Sequence, residues 1–357
     1  MIAKSLDLYN FRNYHKIHLD LHPKKNIIIG NNGTGKTNIL ESIVMIADTR
    51  SFRADDDQDL ILKTEDTARI DLKVDDDLYR MIITNSGKTL FINNTTIKKS
   101  SDFIGKVNAV LFKPDDLEIF TRGPKYRRRI LDLEIGKMSK KYLEALLTYS
   151  RLLKDKNALL KEDVINDIYL KVLEERMILP IKILIEEREE LIKYIDQNIS
   201  RYYESLTDQK EDIRIIYKRS CEADEEKIKE MIDNDHRRDL FYHYTVSGPH
   251  KEDIAFMFHG SDVTNYASQG QKRLVMLSFK LAIVEYIIKK TNERPILLLD
   301  DILSELDIEN KERLLKILPR DIQTIITATD IQNIKLDSEY RLFRLEKRRN
   351  TSDQREE

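Results

Sequence analysis

The chain has one cysteine, Cys221, and no tryptophan among 357 residues. A single thiol excludes an intramolecular disulfide and favours a reducing, cytosolic home. No uninterrupted apolar run approaches the ~18 residues that a membrane helix needs, and no charged-then-apolar leader opens the chain. A soluble, unprocessed, cytoplasmic protein with no membrane partner is therefore expected. Internal repeats and low-complexity tracts are also absent. So is a surplus of charge: 61 basic residues face 63 acidic ones, for a net charge of −2. A nucleic-acid partner must then be met by a local basic patch rather than by the whole surface. What is abundant is charge of both signs, 35% of residues against the usual ~25%. That surplus fits long solvated helices or a hot-growing source. The length leaves room for about two domains.

The strongest local signal is Gly30-Asn31-Asn32-Gly33-Thr34-Gly35-Lys36-Thr37, a complete G-x-x-x-x-G-K-[ST] loop. It follows the apolar strand end Ile27-Ile28-Ile29 and precedes a helix that begins at Asn38 and carries its apolar positions on one face. Glycines let the backbone curl until its N–H groups, with the helix N-terminus behind them, face a phosphate. Lys36 then reaches the β- and γ-phosphates, and Thr37 offers its hydroxyl to Mg²⁺. ATP and Mg²⁺ are the expected cofactors.

Along the chain, residues 2–9 and 15–21 partly alternate apolar and polar side chains, as half-buried strands do, with a turn at 10–14. Residues 68–74, 78–84 and 88–97 read as a meander with turns at Asn85-Ser86-Gly87 and Asn93-Asn94, and 107–112 as a further buried strand that Pro114 ends. From about 125 the texture becomes helical. Residues 140–161 and 162–207 carry Leu, Ile and Tyr at three- and four-residue intervals, and Pro180 is expected to kink or split the second helix. Strands are expected again near 213–217 and 242–246, flanking a charged helix at 222–236. The last dozen residues, 346–357, are nearly all polar and are expected to fray.

Two later segments carry chemistry. The apolar strand Ile296-Leu297-Leu298-Leu299 ends in Asp300-Asp301, paired carboxylates of the kind that hold Mg²⁺ beside a phosphate loop and polarise an attacking water. Asp300 is expected at the metal and Asp301 at the general-base position, so that Asp300, Asp301 and Lys36 form the catalytic set. Upstream, Ser268-Gln269-Gly270 opens a helix at 274–288. Alone this string reads as an ordinary helix cap. Ahead of the Asp-Asp strand, with Ser304-Glu305-Leu306-Asp307 after it, the order is that of ATP-binding-cassette ATPases.

Seven stretches then carry a specific resemblance: LDLYNFRNY at 6–14, IIGNNGTGKTNILESI at 28–43, SFR at 51–53, FKPDDLEIFTRGPKYRRRILD at 112–132, VSGPHKEDI at 246–254, ASQGQKRLVMLSFKLA at 267–282 and PILLLDDILSELD at 295–307. In these the chain resembles the bacterial RecF family, the recombination-repair branch of the ATPases that also include the chromosome-maintenance proteins. The resemblance implies an α/β fold: a P-loop ABC-type ATPase head built from both chain ends, 1–112 and 240–357, with an α-helical lobe inserted at 113–239. It also implies a composite ATP site, in which residues 30–37 with Asn38 in one subunit cradle the phosphates and Ser268, Gln269 and Gly270 of a second copy cap the γ-phosphate. ATP would thus drive a homodimer onto duplex DNA near gaps or single/double-strand junctions, and slow hydrolysis would release it. RecR is the implied protein partner, and recombinase loading, replication restart and SOS induction the implied roles.

Three departures temper the catalytic expectation. Lys113-Pro114-Asp115-Asp116 stands where many cassette ATPases place a metal-contacting Gln. Asp301 is one methylene shorter than the usual Glu, and a near-attack geometry is sensitive to ~1 Å. Asp330 stands where many relatives carry a γ-phosphate-sensing His. Slow turnover is expected. For DNA, Lys125, Arg127, Arg128 and Arg129 form the densest basic cluster, the alternative being a helix start whose arginines pair with Asp132 and Glu134. Arg53 faces DNA or the partner's nucleotide in this reading. His250 lacks a second His or Cys at ligand spacing and is read as structural or interfacial, and Lys347, Arg348 and Arg349 as a tail. A transporter motor would usually read Leu-Ser-Gly-Gly-Gln and lack the charged lobe, a chromosome-architecture ATPase would need hundreds of heptad residues, and an ordinary phosphotransferase would have no use for Ser268-Gln269-Gly270.

Overall fold

The computed structural model describes residues 1–330 and 339–346; the expected frayed tail, with Lys347, Arg348 and Arg349, lies beyond them except for Glu346. The chain divides into two compact units, one formed by residues 1–116 with the chain from Asn292 onward, the other by Leu117–Thr291. The second boundary thus falls near 291 rather than 240, which puts the Ser268 helix in the same unit as the helical insert.

The first unit holds two sheets. One is antiparallel, in the order β2-β1-β4-β5-β6-β7, with β1 (Ala3–Phe11), β2 (Tyr14–Asp20), β4 (Thr67–Val74), β5 (Asp77–Thr84), β6 (Gly87–Ile92) and β7 (Thr95–Ile97). Its hairpins follow the alternation read from sequence, and β6 and β7 are joined at the turn expected at 93–94, where Asn93 adopts a positive φ of 56°. The other is an all-parallel sheet in the order β14-β3-β13-β12-β8, from β3 (Lys25–Gly30), β8 (Ala109–Phe112), β12 (Ile296–Asp300), β13 (Thr324–Ala328) and β14 (Tyr340–Leu345). Parallel strands covered on both faces read as continuous apolar runs, and Ile27-Ile28-Ile29 and Leu297-Leu298-Leu299 are such runs, all nearly inaccessible. Helix α1 (Lys36–Asp48) shares one core with both sheets: Ile39, Leu40 and Ile43 pack in the same apolar cluster as Leu6 and Leu72 of the antiparallel sheet and Leu298 and Ile325 of the parallel one. Helix α9 (Ile308–Ile317), capped by the Asp307 carboxylate on the Asn310 N–H, leads back to β13.

The second unit is mainly helical: α2 (Glu118–Thr121), α3 (Pro124–Met138), α4 (Lys140–Leu159), α5 (Asp167–Thr207), α6 (Glu225–Tyr242), α7 (Val263–Tyr266) and α8 (Gln269–Thr291), with a small antiparallel sheet of β9 (Ile213–Lys218), β10 (Asp253–Phe258) and β11 (Ser261–Asp262). Two expectations are corrected here. Pro180 does not split its helix, because α5 runs unbroken for 41 residues. A proline forfeits one backbone bond, and the packing of α5 along α4 and α8 through buried Leu170, Leu184, Ile195 and Ile199 outweighs that loss. Residues 242–246 form no strand either: Tyr242 ends α6, His243 turns the chain at φ 60°, and Thr245 bonds the Asn157 amide oxygen through its N–H and its hydroxyl.

The Ser247-Gly248-Pro249-His250 string anchors a buried polar network. Arg188, on α5, donates to the Tyr142 hydroxyl (2.9 Å), the Pro249 carbonyl (2.8 Å), Glu252 (2.8 Å) and Asp132 (2.7 Å), while Tyr217 and Ser220 also donate to Glu252. His250 is structural. Its Nε2 faces the Thr245 carbonyl, which can only accept, so Nε2 carries the proton and Nδ1 accepts from Tyr149 (2.6 Å). Burial lowers its pKa to about 4, which keeps it neutral. Replacing Arg188 by Met would strand two carboxylates, at a cost of about 3–5 kcal/mol. Urea unfolding of Arg188→Met followed by circular dichroism is expected to show a clearly lowered midpoint, and an unchanged midpoint would deny the network a structural role.

Candidate nucleotide-binding site

The phosphate loop joins β3 to α1 at the carboxyl edge of the parallel sheet, where α/β sheets bind ligands. Gly35 sits at φ 102°, and a Cβ there would lie 2.5 Å from the Tyr14 hydroxyl and 2.8 Å from the Asn13 amide. Only glycine fits, because the turn between β1 and β2 closes over the loop: Asn13 Nδ2 and the Tyr14 hydroxyl both donate to the Thr34 carbonyl at 3.3 Å. No side chain caps α1, so its first-turn N–H groups point at the loop, and the helix dipole reinforces them toward an anion. Lys36 is buried, its ammonium bonded to the carbonyls of Gly30 (2.6 Å) and Asn31 (3.3 Å). Asn32 and Gly33 complete the exposed lip of the loop.

Beneath the loop lies a charge cluster that sequence reasoning missed. Glu41 is fully buried in α1 and takes a two-pronged contact from Arg12 (2.8 and 2.6 Å), the Ser51 hydroxyl, and a longer ion pair from Arg53 (3.9 Å). Arg53 also donates to the Asn38 amide oxygen (2.9 Å), and Asn38 in turn donates to Asn13 (2.8 Å). A glutamate inside an otherwise apolar helix face was the signal available for this cluster. It ties the β1–β2 turn, the loop helix and the 51–53 segment into one frame, and it places Arg53 beside the phosphate loop.

The carboxylates come from the neighbouring strands. Parallel pairing sets Asp300 opposite Thr327 and Ala328 opposite Ile29. The Asp300 Oδ1 atom accepts from the hydroxyls of Thr37 (3.0 Å) and Thr327 (2.8 Å). Burial pushes the Asp300 pKa up and Asp301 adds to the rise, while the two threonine donors oppose it. Asp301 adopts the left-handed conformation at φ 52°, its N–H donates to the Thr327 hydroxyl (2.9 Å), and its Oδ1 is buried without a hydrogen-bond partner. An all-oxygen set of Thr37 and Asp300 beside that unmatched oxygen fits Mg²⁺, which takes one or two protein ligands and completes its shell with phosphate and water. Among the described residues no group of three or more His, Cys, Asp or Glu side chains is placed to hold a metal unaided. At the missing Gln position, Lys113 pairs with Asp115 (3.4 Å) and lies over the Phe52 ring. Asp330 is exposed.

In the second unit, Ser268 and Gln271 cap the start of α8 reciprocally: the Ser268 Oγ accepts from the Gln271 N–H (3.2 Å), and the Gln271 Oε1 accepts from the Ser268 N–H (2.8 Å). Ser268, Gln269 and Gly270 are exposed, and a Cβ on Gly270 would meet nothing within 4 Å.

A model of the RecF/RecN/SMC N-terminal domain matches residues 2–352. The DNA replication and repair protein RecF of Lachnoclostridium phytofermentans is 38% identical over 93% of this chain and 94% of that protein, and its namesake from Streptococcus suis 35% over 97% and 98%. The chain belongs to the RecF family. A solved structure of the recombination mediator protein RecF with ATP superposes with a TM-score of 0.87 at 30% identity, covering 96% of this chain and 95% of that one. An Smc head domain from Pyrococcus furiosus shares the fold alone, at a TM-score of 0.54 and 20% identity.

Within this RecF-family chain the basic cluster divides. Arg127 makes a two-pronged pair with Asp253 (2.6 and 2.8 Å) and donates to the carbonyls of Ile119 and Arg122, while Arg128 donates to the Glu252 carbonyl and burial lowers its pKa. These two arginines are therefore spent inside the unit, Arg127 on Asp253 and Arg128 on the Glu252 carbonyl, with the expected attraction of the Asp132 charge also acting on Arg128. Lys125 and Arg129 stay exposed.

The raised pKa of Asp300 has a stability consequence. The folded chain holds that proton more tightly than the unfolded one, so the group favours folding at low pH and loses that contribution as pH rises through the raised value. Above that raised value its ionised form costs stability. Asp300→Asn is expected to raise the thermal midpoint without nucleotide and to lose the further rise that Mg²⁺ with ATP gives the parent. Differential scanning fluorimetry reads both, and an undiminished nucleotide-dependent rise would remove Asp300 from the site.

Proposed function

We propose that this protein is an ATP-controlled DNA clamp of recombinational repair. The observation that carries the proposal is that one chain holds two complementary half-sites for a triphosphate. One is the phosphate loop with Lys36, Thr37, Asp300 and Asp301, and the other is the open, capped start of α8 at Ser268, Gln269 and Gly270. A half-site with exposed glycine and a helix N-terminus is suited to a third phosphate presented by a second copy.

In this reading residues 30–37 bind the phosphates and Asn38 borders them. Lys36 exchanges its carbonyl partners for β- and γ-oxygens, and Thr37 and Asp300 would hold Mg²⁺, which would supply positive charge to the phosphates. Asp301, with its unmatched buried oxygen, orients the attacking water and takes its proton. Its short side chain makes turnover slow, so ATP acts chiefly as a dimerisation switch. Duplex DNA is the gripped partner, at gaps or single/double-strand junctions, and RecR the protein partner. The RecF-ATP structure, described as belonging to the RecFOR pathway, supports this assignment.

Ser268→Arg costs the α8 helix about 1 kcal/mol of capping, too little to unfold the unit. The variant is expected to bind ATP as a monomer yet fail to dimerise, whereas Asp301→Asn is expected to bind ATP, stall hydrolysis and accumulate the dimer. Gel filtration and light scattering with ATP read this; a Ser268→Arg protein that still dimerises refutes the composite site, and parental turnover in Asp301→Asn refutes the base.

For DNA, each lost phosphate contact flattens the plot of log K against log salt by about 0.9. Lys125→Ala with Arg129→Ala is expected to flatten it by nearly two units with ATP present. Arg127→Ala with Arg128→Ala is expected to lower thermal stability instead, since it breaks internal pairs. A parental slope in the first double variant moves the contact to Arg53 and the phosphate-loop unit.

A further inference from the structure

The C-terminal end of α6 and the turn after it present a patch that neither the nucleotide site nor the basic cluster uses. Phe241, Tyr242 and Tyr244 are 76%, 50% and 45% exposed, unusual for three large rings within four residues. The rings form a ladder: Phe241 meets Tyr242 edge-on at 5.1 Å between centroids, and Tyr242 meets Tyr244 at 5.9 Å and 37°. The Lys251 ammonium lies 5.1 Å from the Tyr244 ring. Arg237 and Arg238 stand one helical turn before Phe241 and Tyr242, on the same faces of α6, and both are exposed.

The ladder is held out by design of the backbone. His243 takes the left-handed conformation and anchors through Nδ1 to the Leu160 carbonyl (2.8 Å), and Thr245 is buried and bonded to Asn157 (2.7 and 3.0 Å). Those two anchors, on either side of Tyr244, leave the rings no route into the core. Between residues 235 and 251 the only carboxylates are Asp235, which Arg238 engages at 2.7 Å, and Asp239, which is buried against Lys156 at 2.8 Å. The acids of this segment are thus taken up by Arg238 and Lys156, and Arg237 and Lys251 have none of its carboxylates to pair with.

Exposed aromatic rings flanked by cations match one kind of partner better than any other. Unpaired bases offer π-faces that stack on such rings whatever their sequence, and their phosphates meet the flanking charges. An apolar protein face would leave Arg237 and Lys251 desolvated without acids to meet them. We propose that Phe241, Tyr242 and Tyr244, with Arg237, Arg238 and Lys251, form a stacking platform for single-stranded DNA. The platform deepens the clamp assignment and rests on its DNA-binding part: the end of α6 would touch the unpaired strand at a gap, whereas Lys125 and Arg129 on α3 of the same unit would touch duplex.

The test uses the full-length protein with ATP and fluorescence anisotropy on three probes: an oligo-dT single strand, a blunt duplex and a gapped duplex. Phe241→Leu with Tyr242→Leu and Tyr244→Leu keeps apolar bulk and removes the rings, and Tyr242→Phe with Tyr244→Phe keeps the rings and removes the hydroxyls. The Leu variant is expected to lose at least about 30-fold in single-strand affinity, the effect of two stacked bases or more. It should lose the parent's preference for gapped over blunt duplex and keep the parent's duplex affinity and thermal midpoint, and the Phe variant should behave as the parent. Parental single-strand affinity in a folded Leu variant overturns the platform and points to a protein partner, while leaving the clamp assignment intact. Absence of DNA binding to any probe by the parent overturns both.

Discussion

Parallel strands cannot be joined by tight turns, and that constraint organises the nucleotide site. Every crossover in the β3, β13, β12 and β8 array carries the chain away and back, so strands distant in sequence end side by side at one edge. Gly30, Asp300 and Thr327 meet there because register places them there, not because they are neighbours in the chain. The two threonine hydroxyls on Asp300 are the molecular form of that alignment. Thr327 donates to Asp300 and accepts from the Asp301 backbone, so one side chain sets the position of both acids.

The same edge is where the fold accepts its local costs. A carboxylate out of water, a second with a buried oxygen unmatched and a non-glycine residue at positive φ are each unfavourable in isolation. They are tolerated because the surrounding apolar core, from Leu6 to Ile325, is continuous on both faces of α1. Glu41 is the converse case: its burial is compensated by three donors, and the result is rigidity where the backbone must face an anion.

Periodicity and local chemistry made most of this legible in sequence. The phosphate loop, the Asp300-Asp301 strand, the antiparallel hairpins and the long amphipathic helices were readable because each depends on neighbours within about ten residues. What was not readable depends on distant partners. Whether Arg127 faces solvent is decided by Asp253, more than a hundred positions away, and nothing in the Lys125 to Arg129 string announces it. The intact α5 across Pro180 and the bent, exposed aromatic run at 241–244 are likewise tertiary outcomes, one settled by packing against α4 and α8, the other by anchors on Leu160 and Asn157. Arg12 and Asn13 were visible as part of a resembling stretch, but their task, bracing the loop, emerges only once the β1–β2 turn is seen lying over Gly35.

The reciprocal cap at the start of α8 narrows the choice of residue at position 268 from two directions. A serine hydroxyl has one proton to give and two lone pairs to receive with, and the cap uses only a lone pair. The proton remains for an oxygen arriving from outside, so capping and anion contact proceed together without rearrangement. Aspartate would cap the helix as well but repel that oxygen, and alanine would lose both bonds. Of the good caps, serine, threonine and asparagine alone retain a donor, and a drift of this position among those three should be silent where a drift to aspartate is not.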